Sequence, residues 1–361
     1  MISVIIPNFN GAKFIPMCLD SFKNQTFTDF ELIVVDNNSA DDSCKIIEEQ
    51  YPHVNLIKMS YNSGFSIAVN TGIKASKGDF IALFNNDAEA TPNWLEELYK
   101  PMVEDATVGV TGSKILYYFR RDTIDSAGVV MNDDGVTDNR GSLEKDTGQY
   151  DKKEFLFGSC AAAILYRRKM LDDIAINGEI YDEDFFAYYE DSDINARCWL
   201  AGYKCLYVPE AVVYHIGSAT NKKVKIKDGK PLLEVELKLE EAEPLTRGNY
   251  MMFYSSCNYF NLLIKNMPAD FFWKKLWKTL VYEFIHYFLY SLKNGIFILY
   301  LKSKWRGFCQ IPVMLKKRKI IQSKKKVDAH ILTDMCRPRK AGYYNELFGR
   351  FFRNVQKTKK S

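Results

Sequence analysis

Several familiar motifs are missing from this 361-residue sequence, and each absence disfavours a class of protein. The eight cysteines form no Cys-x-x-Cys pair and no secretory signal precedes the first apolar stretch, so we expect a reducing, cytoplasmic setting. No Gly-x-Gly-x-x-Gly follows that stretch, and no Gly-Lys-Ser or Gly-Lys-Thr follows a glycine-rich loop. Rossmann dehydrogenases and P-loop enzymes are therefore disfavoured.

Charge is distributed unevenly along the chain. Residues 302–361 contain 18 Lys and Arg against 3 Asp and Glu, whereas residues 1–301 contain 31 against 42. An acidic body with a basic tail predicts that the tail meets something anionic, either lipid headgroups or nucleic acid. The 47% hydrophobic content is ample for a packed core, and the length predicts two domains or one domain with a helical appendage.

Strands alternate with helices through the first hundred residues. Apolar stretches at 3–6, 31–35 and 54–58 are each followed by turn formers and then by apolar residues at helical spacing. A fourth apolar run, at 80–84, has the length of a fully buried strand. This alternation predicts an α/β fold with a Rossmann-like, mostly parallel sheet whose loops converge at one edge.

Amides and carboxylates follow the fourth strand directly, at Asn85, Asn86, Asp87 and Glu89. In a parallel sheet, ligands bind just outside the carboxyl ends of the strands. Oxygen ligands of this kind suit Mg²⁺ or Mn²⁺, which would in turn hold a diphosphate. The alternative is a turn rich in Asx residues that only caps the helix beginning near Thr91.

Polar side chains also follow the first two strands. Asn8 and Asn10 come after strand one, and Asp36 and Asn38 come after strand two. Asp36 is placed to accept hydrogen bonds from a base or a ribose, as acids do in dinucleotide sites. An ordinary N-cap or Asx-turn is the alternative for Asp36 alone.

Four of these segments resemble, in order and spacing, the family 2 glycosyltransferases of the GT-A fold. They are Val4-Ile5-Ile6-Pro7-Asn8-Phe9-Asn10-Gly11, Val34-Val35-Asp36-Asn37-Asn38-Ser39, the stretch from Asn62-Ser63-Gly64 to Asn70-Thr71-Gly72-Ile73, and Leu83-Phe84-Asn85-Asn86-Asp87. The resemblance implies a nucleotide-sugar site at Pro7, Asn8, Asn10, Asp36, Asn38, Gly64, Asn70 and Asn86. It also implies a metal site in the Asp-x-Asp-like run, where Asn85 replaces the first acid and Asp87 remains.

A run of small residues, 157–163, is a candidate for the acceptor side. It contains Gly158 and Ser159, and small side chains let a sugar approach the backbone closely. Tight packing of a helix or strand is the alternative. Just upstream, residues 129–136 predict a hairpin with an Asp-Gly turn.

A second cluster of acids opens an amphipathic helix that ends at Gly202. Acids in a first turn complement the helix dipole, which is one explanation of the cluster. The cluster also follows Phe185, Phe186, Tyr188 and Tyr189, and aromatic walls suit a sugar ring, exclude water and raise a carboxylate's pKa toward that of a useful base. In the family, the catalytic base lies at this pair of acids. The match falls on Asp191, with Glu190 as the second candidate and Tyr189 on the acceptor side.

Four further strands are predicted at 108–112, 114–119, 206–209 and 211–215. His215 lies at the end of the last one, and a lone histidine is more often an ordinary core or surface residue. In some relatives the histidine at the matching place completes the metal site. His215 is therefore a further candidate ligand, in its neutral form.

The alternation of strands and helices stops after residue 220. We predict a GT-A domain at 1–220, with a nucleotide-sugar half at 1–100 and an acceptor half at 101–220, then a charged linker at 221–245 and a helical, basic extension at 246–361. The extension resembles that of rhamnosyltransferase-like members of the family. Cys257 stands where those members usually have arginine.

The extension is rich in aromatic and basic residues. Its most apolar segment, 280–301, is interrupted by Glu283, His286 and Lys293, whereas a spanning helix needs about 20 predominantly apolar residues. The tryptophans and lysines within 270–326 predict a peripheral contact with an anionic surface, on the inner face of the cell membrane. A solvated basic face that meets a protein partner is the alternative, and a homo-oligomer is left open.

Together these features predict an inverting glycosyltransferase. It would move a sugar from a nucleotide-diphosphate donor, with dTDP-rhamnose as a candidate, to a hydroxyl of a glycan or lipid-linked acceptor in cell-surface polysaccharide synthesis. A metal-dependent nucleotidyltransferase is one alternative, although such enzymes normally need a basic glycine-rich loop after strand one. A nucleic-acid-binding protein is the other, but the acidic body would repel phosphate, so we expect no nucleic-acid partner.

Overall fold

The computed structural model describes residues 1–217, 222–227, 230–235, 247–340 and 342–344. The strands are β1 (Ile2–Asn8), β2 (Phe30–Asp36), β3 (Asn55–Lys58), β4 (Phe80–Phe84), β5 (Ala88–Ala90), β6 (Val108–Tyr117), β7 (Arg120–Ser126), β8 (Val129–Met131), β9 (Thr137–Asn139), β10 (Glu154–Leu156), β11 (Ala163–Arg167), β12 (Lys204–His215), β13 (Lys222–Lys227) and β14 (Lys230–Val235).

The helices fall into two groups, one around the sheet and one at the carboxyl end of the chain. The first group is α1 (Ile15–Asp20), α2 (Ser43–Gln50), α3 (Phe65–Ala75), α4 (Trp94–Glu104), α5 (Arg168–Ile174) and α6 (Glu190–Leu200). The second group is α7 (Arg247–Asn266), α8 (Ala269–Tyr282), a π-helical turn (Glu283–Leu289), α9 (Tyr290–Lys293), α10 (Phe297–Lys324) and α11 (Ile331–Asp334).

A ten-stranded sheet runs in the order β10-β12-β6-β11-β4-β1-β2-β3, with β5 and β7 paired to β12 and β6. The β4-β1-β2-β3 part is parallel, as the sequence predicted, and Asn8 pairs in register with Asp36. Strand β11 reverses direction between β4 and β6. The loops after β1, β2 and β4 therefore meet at one edge of the sheet.

Apolar side chains of the central strands are buried on both faces of the sheet. Along β1, Ile5 contacts the core that includes α3, whereas Val4 and Ile6 contact the core that includes α1 and α4. Helix α3 packs closely on the sheet, since a Cβ at Gly72 would lie 2.5 Å from Ile5 Cγ2. Helices on two faces are what a continuously apolar parallel strand requires.

Two predicted strand boundaries are wrong. Residues 108–112 and 114–117 belong to the single strand β6, which ends before Tyr118 and Phe119, and 206–209 and 211–215 belong to the single strand β12. Pro209 lacks a backbone N–H, but the chain accommodates it with a register shift against β6 between Val208 and Val212 instead of ending the strand. The predicted hairpin at 129–136 is present as β8 and β9.

The carboxyl-terminal helices pack onto the core that contains α3 and α6. Tyr259, Leu262 and Leu263 of α7 are buried in it. Part of the range predicted as a charged linker forms the hairpin of β13 and β14, and the rest of that range lies outside the described residues, as do residues 345–361 of the predicted extension. No helix in the described part of the chain is long and apolar enough to cross a membrane.

Several basic residues of the extension pair with acids of the body, so the uneven charge is partly neutralised within the chain. Lys317 contacts Asp182 (2.5 Å) and Asp184 (2.7 Å), and Arg339 contacts Asp134 (2.9 Å). The expectation that the tail meets an external anion therefore cannot apply to these side chains. Internal ion pairs of this kind attach the extension to the body.

Candidate active site

A cavity of about 330 Å³ opens at the carboxyl ends of β1 and β4. Its walls come from the loops after β1, β2 and β4, from the start of α3, and from the segment between β11 and α6. The lining residues are Pro7, Asn8, Phe9, Asn37, Asn62, Gly64, Phe65, Asn85, Asn86, Asp87, Phe186, Ala187, His215 and Tyr250. Seven residues predicted to bind a donor or a metal therefore line this cavity, namely Pro7, Asn8, Gly64, Asn85, Asn86, Asp87 and His215.

Side-chain hydrogen bonds hold the loops of this cavity together. The amide of Asn8 donates to Asp36 (2.8 Å), and the amide of Asn86 donates to Asn8 (2.7 Å). Asp36 also accepts from the hydroxyl of Ser39 (2.6 Å) and is only 2% exposed. A Cβ at Gly11 would lie 2.1 Å from Asn8 Oδ1, so this network needs a glycine there.

The side chains of Asn85, Asp87 and His215 meet at the edge of the cavity. His215 Nε2 lies 3.1 Å from Asp87 and 3.2 Å from the Asn85 amide, and its Nδ1 lies 2.8 Å from Asp125 on β7. Burial opposes the imidazolium charge, but the carboxylates of Asp87 and Asp125 outweigh burial and raise the pKa of His215 to about 10. The imidazole is therefore protonated in this arrangement, and the neutral form expected of a metal ligand stays a prediction.

The donor set at this point suits a divalent cation. A carboxylate, an amide and an imidazole are ligands that Mn²⁺ accepts, and Asp125 stands behind His215 as carboxylates commonly stand behind metal-bound histidines. A cation would have to displace the proton from Nε2. Among the residues that the structure describes, no group of three or more His, Cys, Asp or Glu side chains could hold a metal. The site thus depends on Asn85 as well as on Asp87 and His215.

Asp191 lies on the wall of a second cavity of about 630 Å³. Its lining residues are Val129, Thr137, Asp138, Asn139, Ser142, Tyr188, Tyr189, Asp191, Ser192, Met251 and Ser255. Burial by the surrounding protein raises the pKa of Asp191, against hydrogen bonds from the backbone of Ser192 and Ala161 that lower it. Burial and then the neighbouring charge of Asp191 raise the pKa of Glu190 to about 8.

The backbone of residues 160–162 connects the two cavities. The Asp191 carboxylate accepts a hydrogen bond from the N–H of Ala161, and the carbonyl of Ala162 accepts one from the N–H of Asn85 (2.9 Å). Burial raises the pKa of the Cys160 thiol, and the charges of both Asp191 and Asp125 raise it further. Asp191 and the Asp87 group therefore lie at the same edge of the sheet, on neighbouring cavities.

Residues 186–189, here called the dividing loop, lie between the two cavities. Phe186 and Ala187 line the first cavity, whereas Tyr188 and Tyr189 line the second. Phe186, Tyr188 and Tyr189 have positive φ values of 59°, 67° and 68°. Non-glycine residues rarely adopt such angles, and they persist only where surrounding contacts fix them.

The sequence from the first strand through α5 matches a known family model. Residues 3–175 match the model described as glycosyl transferase family 2. This segment is therefore similar to the family 2 glycosyltransferases. The resemblance predicted from the four segments is confirmed at this level, while the rhamnosyltransferase-like subgroup stays a prediction.

Curated glycosyltransferases share limited stretches with the chain. It is 36% identical over 107 residues to "Uncharacterized glycosyltransferase YibD" of Escherichia coli (strain K12), covering 29% of this chain and 31% of YibD. It is 27% identical over 223 residues to "Glycosyltransferase GlyA" of Streptococcus pneumoniae serotype 4, covering 58% of this chain and 30% of GlyA. The chain thus spans less than a third of the length of either relative.

Solved structures confirm the predicted fold class. The structure of GalNAc-T7 with UDP, GalNAc and Mn²⁺ superposes with a TM-score of 0.55 at 15% identity, covering 75% of this chain and 48% of GalNAc-T7. Identity at this level shows the fold alone. The two proteins therefore share the GT-A fold.

Several of the predicted site residues do not line either of the two cavities. Asn70 is buried in α3, where its amide donates to the carbonyl of Tyr181 (2.8 Å). Asn10 accepts from the N–H of Ala40 (2.9 Å), and Asn38 is exposed. Gly158 and Ser159 are buried, and the carbonyl of Ser159 accepts from Asn195 (3.2 Å), so the alternative of tight packing describes them better.

Glu89 also differs from its expected place beside the ligand. It lies on β5 and pairs with Arg121 (2.7 Å) on β7. Conversely, three residues near the cavities were not foreseen, namely Asp125, Asn62 and Tyr250. Asp125 lies on a strand of exposed polar residues with no local motif, and its proximity to His215 arises only from the pairing of β7 with β6.

Proposed function

We propose that this protein is an inverting glycosyltransferase that transfers a sugar from a nucleotide-diphosphate donor to a hydroxyl of a glycan or lipid-linked acceptor. The observation that carries the proposal is the backbone connection between the two acid sites, since Asp191 and Asn85 bond to adjacent residues, Ala161 and Ala162. In this proposal, Asp191 would activate the hydroxyl and the Asp87 group would neutralise the leaving diphosphate, on opposite sides of one sugar. Polysaccharide synthesis fits the glycosyltransferase relatives.

The first cavity would bind the nucleotide diphosphate. Its amide-rich lining offers donors and acceptors to a base, a ribose and phosphates, and Gly64, the N-cap of α3, brings the N-terminus of that helix to the cavity wall. Asp87, Asn85 and His215 would hold Mg²⁺ or Mn²⁺, which supplies charge neutralisation for the leaving diphosphate. Asp125 would keep the imidazole of His215 oriented toward that position.

Asp191 is assigned as the base. Glu190, with a pKa raised to about 8, holds its proton at pH 7 and cannot accept another. Asp191 accepts hydrogen bonds from Ser192 and Ala161, which favour its ionised form, so the pair divides into one acid and one carboxylate. The carboxylate would take the proton of the acceptor hydroxyl as the oxygen attacks the anomeric carbon from the face opposite the diphosphate. One displacement inverts that centre.

Donor identity can be tested directly. Purified full-length chain is incubated with Mn²⁺ or Mg²⁺ and a panel consisting of UDP-glucose, UDP-galactose, UDP-N-acetylglucosamine, GDP-mannose and dTDP-rhamnose, and release of nucleoside diphosphate is recorded. We expect one donor to be consumed in a metal-dependent way, and dTDP-rhamnose is the proposed one. Release of pyrophosphate in place of nucleoside diphosphate would indicate a nucleotidyltransferase instead.

The rate of donor turnover should fall at low pH. The base must be ionised, and because burial raises the pKa of Asp191, it becomes protonated at a higher pH than an exposed aspartate, whose pKa is about 3.9. We expect kcat/KM to decline as the pH falls through that raised pKa, so that the acid limb lies at a higher pH than that of an exposed aspartate. An acid limb at or below the pKa of an exposed aspartate would contradict the assignment of Asp191.

The carboxyl-terminal helices would lie on an anionic membrane surface. Large apolar side chains are exposed along α8, the π-helical turn and α10, namely Trp273, Trp277, Leu280, Phe284, Ile298, Leu301, Trp305 and Phe308. Apolar patches of this extent mark interaction surfaces, and lysines interleave with them in the sequence. The peripheral location on the inner face of the cell membrane rests on this surface.

Replacing two of these tryptophans should release the protein from vesicles. In flotation with vesicles of phosphatidylcholine and phosphatidylglycerol, Trp273→Ser combined with Trp277→Ser should weaken binding by roughly tenfold or more, because each exposed indole is lost from the bilayer interface. Phe119→Ser, which removes an exposed aromatic from the body, is the control. Equal flotation of both variants would point to the alternative of a protein partner.

A further inference from the structure

Helix α7 contacts the dividing loop through aromatic side chains and through Asn258. Phe186 stacks on Tyr254, with the ring centroids 5.1 Å apart. The Nδ2 atom of Asn258 lies 2.8 Å from the carbonyl oxygen of Phe185, 2.9 Å from that of Ala187 and 2.9 Å from that of Tyr188. Its two N–H groups are therefore shared among three carbonyl oxygens, two of them in the loop and one on the residue before it. Asn258 itself is fully buried.

These hydrogen bonds are made to a segment with unfavourable backbone angles. The positive φ values of the loop lie in a region that favours glycine, yet the loop carries Phe186, Tyr188 and Tyr189. Contacts from the surrounding protein must therefore fix this conformation. Asn258 donates to two carbonyl oxygens of the loop and to that of Phe185, so it supports the conformation of the loop.

The loop leads directly into the proposed base. Tyr189 is the residue that precedes α6, and Asp191 is the second residue of that helix. Downstream, Lys265 and Asn266 of α7 bind Asp193 in the same first turn, at 2.8 Å in each case. Helix α7 thus forms hydrogen bonds with the chain on both sides of Asp191. Neither α7 nor Asp191 belongs to residues 3–175, which match the family model.

We infer that Asn258 is a positioning residue for sugar transfer: by fixing the dividing loop, it sets the direction in which Asp191 faces the junction of the two cavities. This inference rests on the proposed function. It makes the carboxyl-terminal helices part of the catalytic unit, in addition to any role at a membrane. Removal of the Asn258 amide should therefore impair turnover more than donor binding.

The chain offers a matched control one turn further along α7. Asn261 is also fully buried, but its amide donates to Gln310 on α10 (2.8 Å). Asn258→Ala and Asn261→Ala remove the same group from the same helix at the same depth. A loss of helix packing alone would affect both variants alike.

The test compares wild type, Asn258→Ala and Asn261→Ala as full-length proteins, using whichever nucleotide sugar of the panel the wild type consumes. We expect Asn258→Ala to lower kcat at least tenfold with less than a threefold change in donor KM, and to shift the acid limb of the pH profile. Asn261→Ala should keep kcat within threefold of wild type. Equal losses of kcat in the two variants, with an unmoved pH limb, would overturn the inference.

Hydrogen exchange provides a second readout that needs no substrate. Amides of residues 186–189 should exchange faster in Asn258→Ala than in Asn261→Ala, and exchange at the same rate in both would also overturn the inference. The proposed function fails separately, namely if the wild type consumes no donor or if Asp191→Asn turns over normally. A chain that transfers sugar through Asp191 but tolerates Asn258→Ala would refute only the positioning role.

Discussion

Asp191→Asn is expected to slow the release of nucleoside diphosphate from the donor by roughly 10²- to 10⁴-fold, the range that a positioned general base contributes. The amide keeps the shape of the side chain but cannot accept a proton at neutral pH. Donor affinity should change little, since Asp191 lines the second cavity and not the first. Turnover is measured as nucleoside diphosphate released, and affinity by equilibrium titration with the donor.

The adjacent acid provides the comparison. Glu190→Gln replaces a carboxyl that already carries a proton at pH 7 with a neutral group of the same size, so turnover should fall far less than in Asp191→Asn. If Glu190→Gln were inactive and Asp191→Asn active, the base would be Glu190. Normal turnover in both variants would remove the acid pair from the mechanism.

Asp87→Ala is the second variant with a large expected effect. It removes the carboxylate beside His215 Nε2 and thereby the only acid of the proposed ligand set. Loss of a residue that merely supports a ligand typically costs 10- to 100-fold in metal affinity, so loss of the ligand should cost about 100-fold or more. The measurement is the Mn²⁺ concentration required for half-maximal donor binding.

Glu89→Ala is the matched control for this variant. Glu89 lies two residues away and carries the same charge, but it pairs with Arg121 on β7. Its replacement should leave the Mn²⁺ requirement within about threefold of wild type, a change that corresponds to less than ~1 kcal/mol. A Mn²⁺ requirement that is the same in Asp87→Ala and in wild type would show that Asp87 is not a ligand.

The first half of the sheet could be predicted closely because its signals are local. Strand β4 begins and ends as expected, since Gly78 and Asp79 precede a continuous apolar run and Asn85 ends it. Parallel pairing then brings the loops after β1, β2 and β4 to one edge without further information. The order and spacing of those loops also predicted the family.

Features that depend on distant residues could not be predicted in the same way. Strand β12 continues past Pro209 because β6 offers a shifted register, which no local pattern reveals. The sequence does not show whether Asn70 binds a ligand or the backbone of Tyr181, because that depends on how α3 packs. Lys317 belongs to a basic run typical of a surface, yet it is buried against Asp182.

The candidate site likewise combines residues that the sequence predicted with residues that it did not predict. Asp87, His215 and Asp191 were selected from their position at element ends and from the family resemblance. Their supporting residues, Asp125 and Asn258, have no motif around them and were visible only in the structure. Asp125 orients a histidine and Asn258 supports a strained loop. From the sequence alone, any other Asp or Asn could have had these roles.

The stereochemistry of donor hydrolysis tests the central claim most directly. Time-resolved ¹H NMR of the consumed nucleotide sugar, in the presence of Mn²⁺, identifies the anomer that appears first. Attack from the side of Asp191, opposite a diphosphate held near Asp87, predicts a first product with the anomeric configuration inverted relative to the donor. A first product that retains the donor's configuration would contradict the single displacement on which the account rests.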